Sequence, residues 1–482
     1  MTINYENVQV ELPYEILYIE DLHLVAEVNE HHKVSLEALI EEENAEKYLE
    51  ESVEGKEIKL FIDEKVIYVG KIIKLEISYK GQVAHLKLNT ISYSYDLDIK
   101  KHKQSFVNLQ STYEDVIRDV LKKYTKTDFK DNITYGKCIK NLLVQYEETD
   151  FEFLRRLATH FETVLVVDAT SDSSRFHFGV EAIYKDVELG STFREIKTSF
   201  ENFNKISSST KDDLFQQNFI GWQVKSNEYI PFCSEIVYEG QRVFVSKVDM
   251  KIIKGEISYN YELKFLKGIK TIYQINSKLK GISLEGIVKK SRNNEMQLHF
   301  CINDSYDEAE GNKWFAYGRE VSNFYCMPVL ESKVHITFLT GDEKDTIVTN
   351  AVRIAGSNAK YYGKISEHNN KSYSTVDGQE LLMTPDMIQI AEDDGKSIQI
   401  TLQKDGNVSV TAKNISLSSG VNIEIGTKAP SDPKKNPMKP SSINISAKNS
   451  VIITKSANKS VNTGHSMQLT EENHLRGIVK ML

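Results

Sequence analysis

Leu143-Val144-Gln145-Tyr146-Glu147-Glu148-Thr149-Asp150-Phe151-Glu152-Phe153-Leu154-Arg155-Arg156-Leu157-Ala158 decides how the chain is read. Thr149-Asp150-Phe151-Glu152 has the spacing of a capping box. In that arrangement the threonine hydroxyl and the glutamate each satisfy an orphan backbone N–H at a helix start. Leu154, Leu157, Ala158 and Phe161 then recur on one face. An earlier box, Ser111-Thr112-Tyr113-Glu114, opens a second stripe of Tyr113, Val116, Ile117, Val120, Leu121 and Tyr124. Such stripes are packing faces of short helices, not cofactor boxes.

On both sides of this helical passage the pattern is β. Val8 to about Ile99 reads as strand after strand. Val66–Ile77 is followed by the turn Lys80-Gly81 and by the alternating Leu86 and Leu88, as in a small antiparallel barrel or sandwich. Ser35–Glu51 is rich in Ala, Glu and Leu and suggests a short helix. Beyond the passage, Val164–Val167, Phe176–Phe178, Phe219–Val224, Ile236–Val245 and Ile252–Ile257 are each strand-like. From about Lys280 to Gly356 several strands follow without a clear helix, which suits a five-stranded OB-type barrel.

The last region, Ser357–Leu482, has no Phe, Trp or Tyr after Tyr373. Its apolar residues alternate in short runs: Ile398, Ile400 and Leu402; Val408 and Val410; Ile415 and Leu417; Ile423 and Ile425; Ile443 and Ile445; Val451 and Ile453. A buried Ile or Val contributes about 1.5–3 kcal/mol, but a thin ribbon that is apolar on one face has nothing of its own to bury them against. Three copies wound together would place these residues on a shared axis. A monomeric solenoid or sandwich is the other solution. Ala429–Ser442 holds Pro430, Pro433, Pro437 and Pro440 and reads as an excursion between strands.

At 482 residues the chain has room for about three to five domains. Its net charge of −9 argues against a general nucleic-acid binder. Lys100-Lys101-His102-Lys103 and Pro433-Lys434-Lys435 read as solvated loop lysines. Cys138, Cys233, Cys301 and Cys326 lack the spacing of a metal site and are expected to be reduced, mostly buried thiols. No signal peptide or membrane-length apolar run is visible, so synthesis in the cytoplasm without stable membrane insertion is expected.

The stretch quoted at the outset resembles the signature of VgrG-type proteins and phage late-control D proteins, a Gln-Tyr-x-Glu-Thr-Asp-x-x-Phe-Leu-x-Arg-Leu-like run. Gln145, Tyr146, Thr149, Asp150, Phe153, Leu154, Arg156 and Leu157 carry the match. Met327-Pro328-Val329 with Val334-His335-Ile336-Thr337-Phe338-Leu339-Thr340-Gly341-Asp342 is similar to a second segment of that family. It lacks the glycine after Met-Pro and the proline after Gly-Asp.

The resemblance implies a mainly β chain: paired β-barrel hub domains with a helical insertion, an OB-fold barrel and a C-terminal intertwined trimeric β-prism. The expected bounds are 1–105 and 163–278 for the hub barrels and 106–162 for the insertion. They are 279–356 for the OB-fold and 357–482 for the prism. It further implies a homotrimer with a pseudo-hexameric ring, contacting an inner-tube protein, baseplate proteins, a PAAR-like tip protein and a toxin effector. Such a particle delivers its contents outside the cell or into a target cell.

No catalytic, metal or cofactor site is expected. Gly-x-Ser-x-Gly and His-Glu-x-x-His are absent. Gly395-Lys396-Ser397 is like the end of a phosphate loop, but Ile390 stands where its first glycine is required. His31-His32 is an isolated pair in a polar segment, and Asp393-Asp394 reads as a turn. The reading is therefore a structural spike and hub. Its rivals are a trimeric receptor- or glycan-binding tail fibre, using Tyr361, Tyr362 and Tyr373, and a β-solenoid polysaccharide-degrading enzyme.

Overall fold

Alternating apolar residues build most of the molecule, and their register decides which strands meet. A computed structural model describes residues 2–5, 8–181, 183–190, 193–210, 214–305, 312–318, 326–352, 367–375, 377–392 and 397–421. The chain is mainly β and forms two compact units, Met1–Gly363 and Lys364–Leu482.

In the first unit, a 13-stranded sheet dominates. Its path runs Thr2–Tyr5, Val8–Glu11, Glu57–Ile62, Lys65–Lys80, Val83–Ser92, Lys33–Ile40 and Tyr18–Glu27. It continues through Gln241–Ile253, Glu256–Lys264, Ile220–Ser226 and Phe193–Thr198. Ser234–Tyr238 pairs with Gln241–Ile253, and Ile183–Glu188 with Ser234–Tyr238. The crossing from N-terminal to later strands is the antiparallel pairing of Tyr18–Glu27 with Gln241–Ile253. Leu22, Leu24 and Ala26 face the core there with Val248, Met250 and Ile252.

Two apolar runs read as single strands are hairpins. Ile236–Val245 turns at Glu239-Gly240 and Ile252–Ile257 at Lys254-Gly255, all four residues having positive φ. Each turn is short enough to leave the apolar alternation unbroken. Ser35–Glu51 contains the end of a strand before its helix, Glu42–Glu50.

The two helices of the central passage, Tyr113–Leu121 and Asp150–Ala158, start on capping boxes. Thr149 and Glu152 exchange hydrogen bonds as the spacing requires, at 3.0 and 3.1 Å. The earlier box sits one residue later than expected, on Thr112 and Asp115. Glu114 is instead drawn to Arg118 at 2.6 Å.

Ser283–Arg292, Glu295–Phe300, Phe315–Ala316, Lys333–Phe338 and Thr346–Val352 form a separate five-stranded sheet. It curls nearly into a barrel, because Tyr317 bridges to Val348 and joins the sheet's two edges. Leu284, Val288, Met296, Leu298, Phe300, Phe315, Val334, Ile336, Phe338 and Val348 fill it.

The cysteines depart from expectation. Cys138, Cys301 and Cys326 are exposed and Cys233 is half-buried, all four free. His31 and His32 are buried, not surface residues. His31 bonds Ser94 and Asp98 at 2.8 and 3.2 Å and lies on Phe151, 4.0 Å between ring centres. The lysine-rich 100–103 run is no loop: Lys101–Phe106 is a strand paired with Leu143–Thr149.

In the second unit Lys371–Ser374, Glu380–Met383, Met387–Glu392, Ile398–Gln403 and Val408–Thr411 form an up-and-down antiparallel sheet. Each strand pairs with the next in sequence.

Candidate functional site at the sheet–barrel junction

The signature residues converge between the large sheet and the barrel. A bulge in Leu143–Thr149 between Tyr146 and Glu148 puts Glu147 at φ 54° and turns Glu148 inward. The same stretch supplies both cores: Leu143 packs with the large sheet, Leu142 and Val144 with the barrel. Phe153, Leu154 and Leu157 of the helix Asp150–Ala158 sit in the first of these cores. The Phe153 ring stacks on Phe106 at 5.9 Å.

Arg156 crosses from one body to the other. Its Nε and Nη2 donate to Glu148 at 2.8 and 3.0 Å, and its Nη2 also to the Val144 carbonyl at 2.8 Å. Its Nη1 donates at 2.8 Å to Glu343, in the barrel loop immediately after Gly341-Asp342. All three charged side chains are buried. Burial opposes the Arg156 charge, but Glu343 and Glu148 outweigh it and hold the guanidinium pKa above its ordinary value. Burial raises the Glu148 carboxyl in spite of Arg156. Removing one member of a buried ion cluster strands its partners.

A second knot surrounds Asp150. Its carboxylate accepts from Lys123 at 2.9 Å, Tyr124 at 2.5 Å and Gln145 Nε2 at 2.9 Å, and His102 approaches to 3.6 Å. Gln145 also donates to the Glu148 carbonyl and accepts from Gln104. Thr149 bonds Asp98 besides capping the helix. Tyr146 contributes its carbonyl to Asn276 at 2.9 Å. These bonds tie elements together, and of the Glu343 carboxylate only Oε1 is engaged, Oε2 being buried without a partner among the described residues. Among the described residues no group of three or more His, Cys, Asp or Glu is arranged to hold a metal ion.

His160, just past the helix, is buried beside this junction. Tyr113 bonds its Nδ1 at 3.0 Å, and Tyr273 stacks on it at 4.8 Å. Its Nε2 has no partner among the described residues. Burial, with Arg156 and Lys344 nearby, pushes its pKa down to about 3.

The axis residues expected from sequence occupy the second unit. Ile398, Ile400, Leu402, Val408 and Val410 all lie on one exposed face, and Ile415 and Leu417 are exposed beyond its last strand. The register adds residues not expected, in two cross-strand rows. One runs Tyr373, Leu381, Ile390, Ile400, Val410; the other holds Met383, Ile388, Leu402 and Val408. Each of these side chains is at least 36% exposed. Ile423, Ile425, Ile443, Ile445, Val451 and Ile453 lie outside the described residues, as do the proline-rich 429–442 segment, Pro433-Lys434-Lys435, Gly395-Lys396, Asp393-Asp394, Tyr361 and Tyr362.

This architecture is shared with solved structures. An Escherichia coli type VI secretion component, itself described as similar to T4 bacteriophage tail proteins gp27 and gp5, aligns with a TM-score of 0.53. The alignment covers 71% of this chain and 99% of that one at 11% identity. A chain of the lidded Francisella PdpA–VgrG complex aligns at 0.52, over 82% of this chain and 76% of that one at 8% identity. The chain has a VgrG-like fold. The half-lidded form of the same complex aligns with the VgrG-like chain at 0.50 and 9% identity, over 82% of this chain and 84% of that one. No family model matches the sequence. No curated protein matches it either.

Proposed function

We propose that this VgrG-like chain is the structural hub and spike of a contractile injection particle, working by stiffness and not by catalysis. The exposed two-row apolar face of the C-terminal sheet carries the reading. A face of nine large apolar side chains has no interior within its own sheet. Sister copies supply one, at about 1.5–3 kcal/mol for each Ile, Leu or Val covered. The copies form a homotrimer whose axis holds this face. Residues 1–105 and 163–278 serve as hub barrels around the 106–162 insertion, 279–356 as the OB-fold and 357–482 as the spike.

In this reading the hub adapts an inner tube and baseplate to the spike, which carries a tip protein or effector through the target envelope. The Arg156 junction passes load between hub and barrel. No described helix is long and apolar enough to cross a membrane. The assembly is tested by mass photometry of the full chain, where a trimer of 55.1 kDa protomers is expected. Ile390→Asp with Ile400→Asp, paired across adjacent strands, should shift it toward monomer while the first unit stays folded. A native chain that remains monomeric at micromolar concentration would reject the reading.

A further inference from the structure

Beside the Arg156 junction a lysine sits against a carboxamide. Lys313 stands two residues before Phe315–Ala316 of the barrel, and Asn141 two residues before Leu143–Thr149. Both are half-buried, and the Lys313 amine donates to Asn141 Oδ1. Among the described residues this is its only side-chain hydrogen bond, and no carboxylate forms an ion pair with it.

The backbone holds both partners in place. The Lys313 N–H donates to the Val107 carbonyl at 3.0 Å, and the preceding residue, Asn312, bridges to Asn108. Gln297 Nε2 donates to the Asn312 carbonyl at 2.8 Å. On the other side Ile139 is buried in the large-sheet core and Leu142 in the barrel core, with Asn141 between them. An amine and a carbonyl carbon fixed in contact gain the rate advantage of an intramolecular pair.

The surroundings suit a neutral amine. Lys313 Nζ lies 5.2 Å from the centre of the Phe315 ring, in the barrel core. Burial holds its pKa below the usual lysine value, against the pull of the Asp342 and Glu343 charges. A desolvated lysine of this kind is a nucleophile. Glu343 supplies a base. Its Oε1 is taken by Arg156 and lies 3.4 Å from the Val144 nitrogen, while Oε2 is buried without a partner among the described residues.

We propose that Lys313 and Asn141 condense into an isopeptide bond, a covalent strap between the barrel and the strand that carries the signature run. The neutral Nζ attacks Asn141 Cγ, the new C–N bond forms and the C–NH2 bond breaks. Glu343 takes the second amine proton and returns it to the leaving nitrogen, which departs as ammonia. With the proton that Lys313 gave up first, the products are a secondary amide and an ammonium ion, so the step balances without a co-reactant. The bond forms within one chain and is independent of the assembly reading. It spans the same junction as the Arg156 ion cluster and makes that joint irreversible.

Mass spectrometry of the denatured full chain tests this. The native protein should be lighter than its sequence by one ammonia. Lys313→Arg, whose guanidinium stays protonated, should keep its full sequence mass. A digest of the native chain should contain a branched peptide joining Asn141 to Lys313, with no tryptic cleavage after Lys313. Native protein at its full sequence mass overturns the bond. So does a missing ammonia without the branched peptide, since a cyclised asparagine loses the same mass. Glu343→Gln, checked as folded by its urea transition, should keep its full mass, and Glu343→Asp, which retains a carboxyl, should close in part. A Glu343→Gln chain linked as completely as the native one would overturn the role given to Glu343.

Discussion

Arg156 shows what one buried charge does when its partners lie in different bodies. It holds Glu148 from its own side and Glu343 from the barrel, with no water-exposed route for either carboxylate to relax. Arg156→Met keeps the volume and leaves two carboxylates facing each other. The loss should be about 3–5 kcal/mol, read as a lower urea midpoint of the first unit. An unchanged midpoint would mean that the pair contributes nothing net.

Arg156 itself was legible, because it belongs to the signature run. Glu148 stands at the Glu of the signature run but was not singled out, and Glu343 was not marked. Glu343 is 187 positions away and follows Gly341-Asp342, where the second resembling segment stops. The proximity of the two segments is a fact of folding that neither spacing contains.

The buried histidines give a second consequence at this scale. His32 and His160 are both held down to about 3 by burial, with His31 lowered as well. Their unfolded value is near 6.5, so the unfolded chain binds more protons between pH 6.5 and 3. Stability is therefore full above that window and falls as pH drops through it, by about 1.4 kcal/mol per pH unit for each group. Glu148, raised, acts in the opposite sense only above its ordinary value near 4.5, where the folded chain keeps its proton longer, one group against three histidines. Urea midpoints at pH 7 and pH 5 should differ accordingly, and His160→Gln should flatten the slope. A profile level across this range would refute the neutral, buried assignment.

Among the elements, the strands and both helix starts were readable wherever a local rule set them. The capping box at Thr149 is such a case, since its two hydrogen bonds join residues three apart. Hairpins at Glu239-Gly240 and Lys254-Gly255 were hidden because two-residue turns interrupt neither the apolar run nor its period. The apolar face of the C-terminal sheet was half visible. Its later strands were anticipated from Ile398 onward, while Met387-Ile388-Gln389-Ile390 carries the same alternation and passed unnoticed. Exposure could not be read from alternation at all. The same pattern buries Leu86 and Leu88 in the large sheet and leaves Ile400 and Leu402 open to solvent. What differs is the presence of a second layer, which depends on the rest of the molecule.

At the scale of the whole chain the two units differ in where their stability comes from. Met1–Gly363 owns its cores, and Leu142, Leu143 and Val144 stitch the sheet core to the barrel core. The large sheet and the barrel should therefore melt together. The C-terminal sheet has its apolar rows on the outside, so on the proposed assembly its folded state should draw stability from association and follow mass action. Scanning calorimetry of the full chain should resolve two transitions. The one belonging to the C-terminal sheet should rise in temperature with protein concentration and disappear in the Ile390→Asp, Ile400→Asp variant. The sheet–barrel transition of the first unit should survive in that variant with its enthalpy nearly intact. A C-terminal transition that stays fixed over a hundredfold range of concentration would mean that the sheet is stable alone, and the apolar face would then need another explanation.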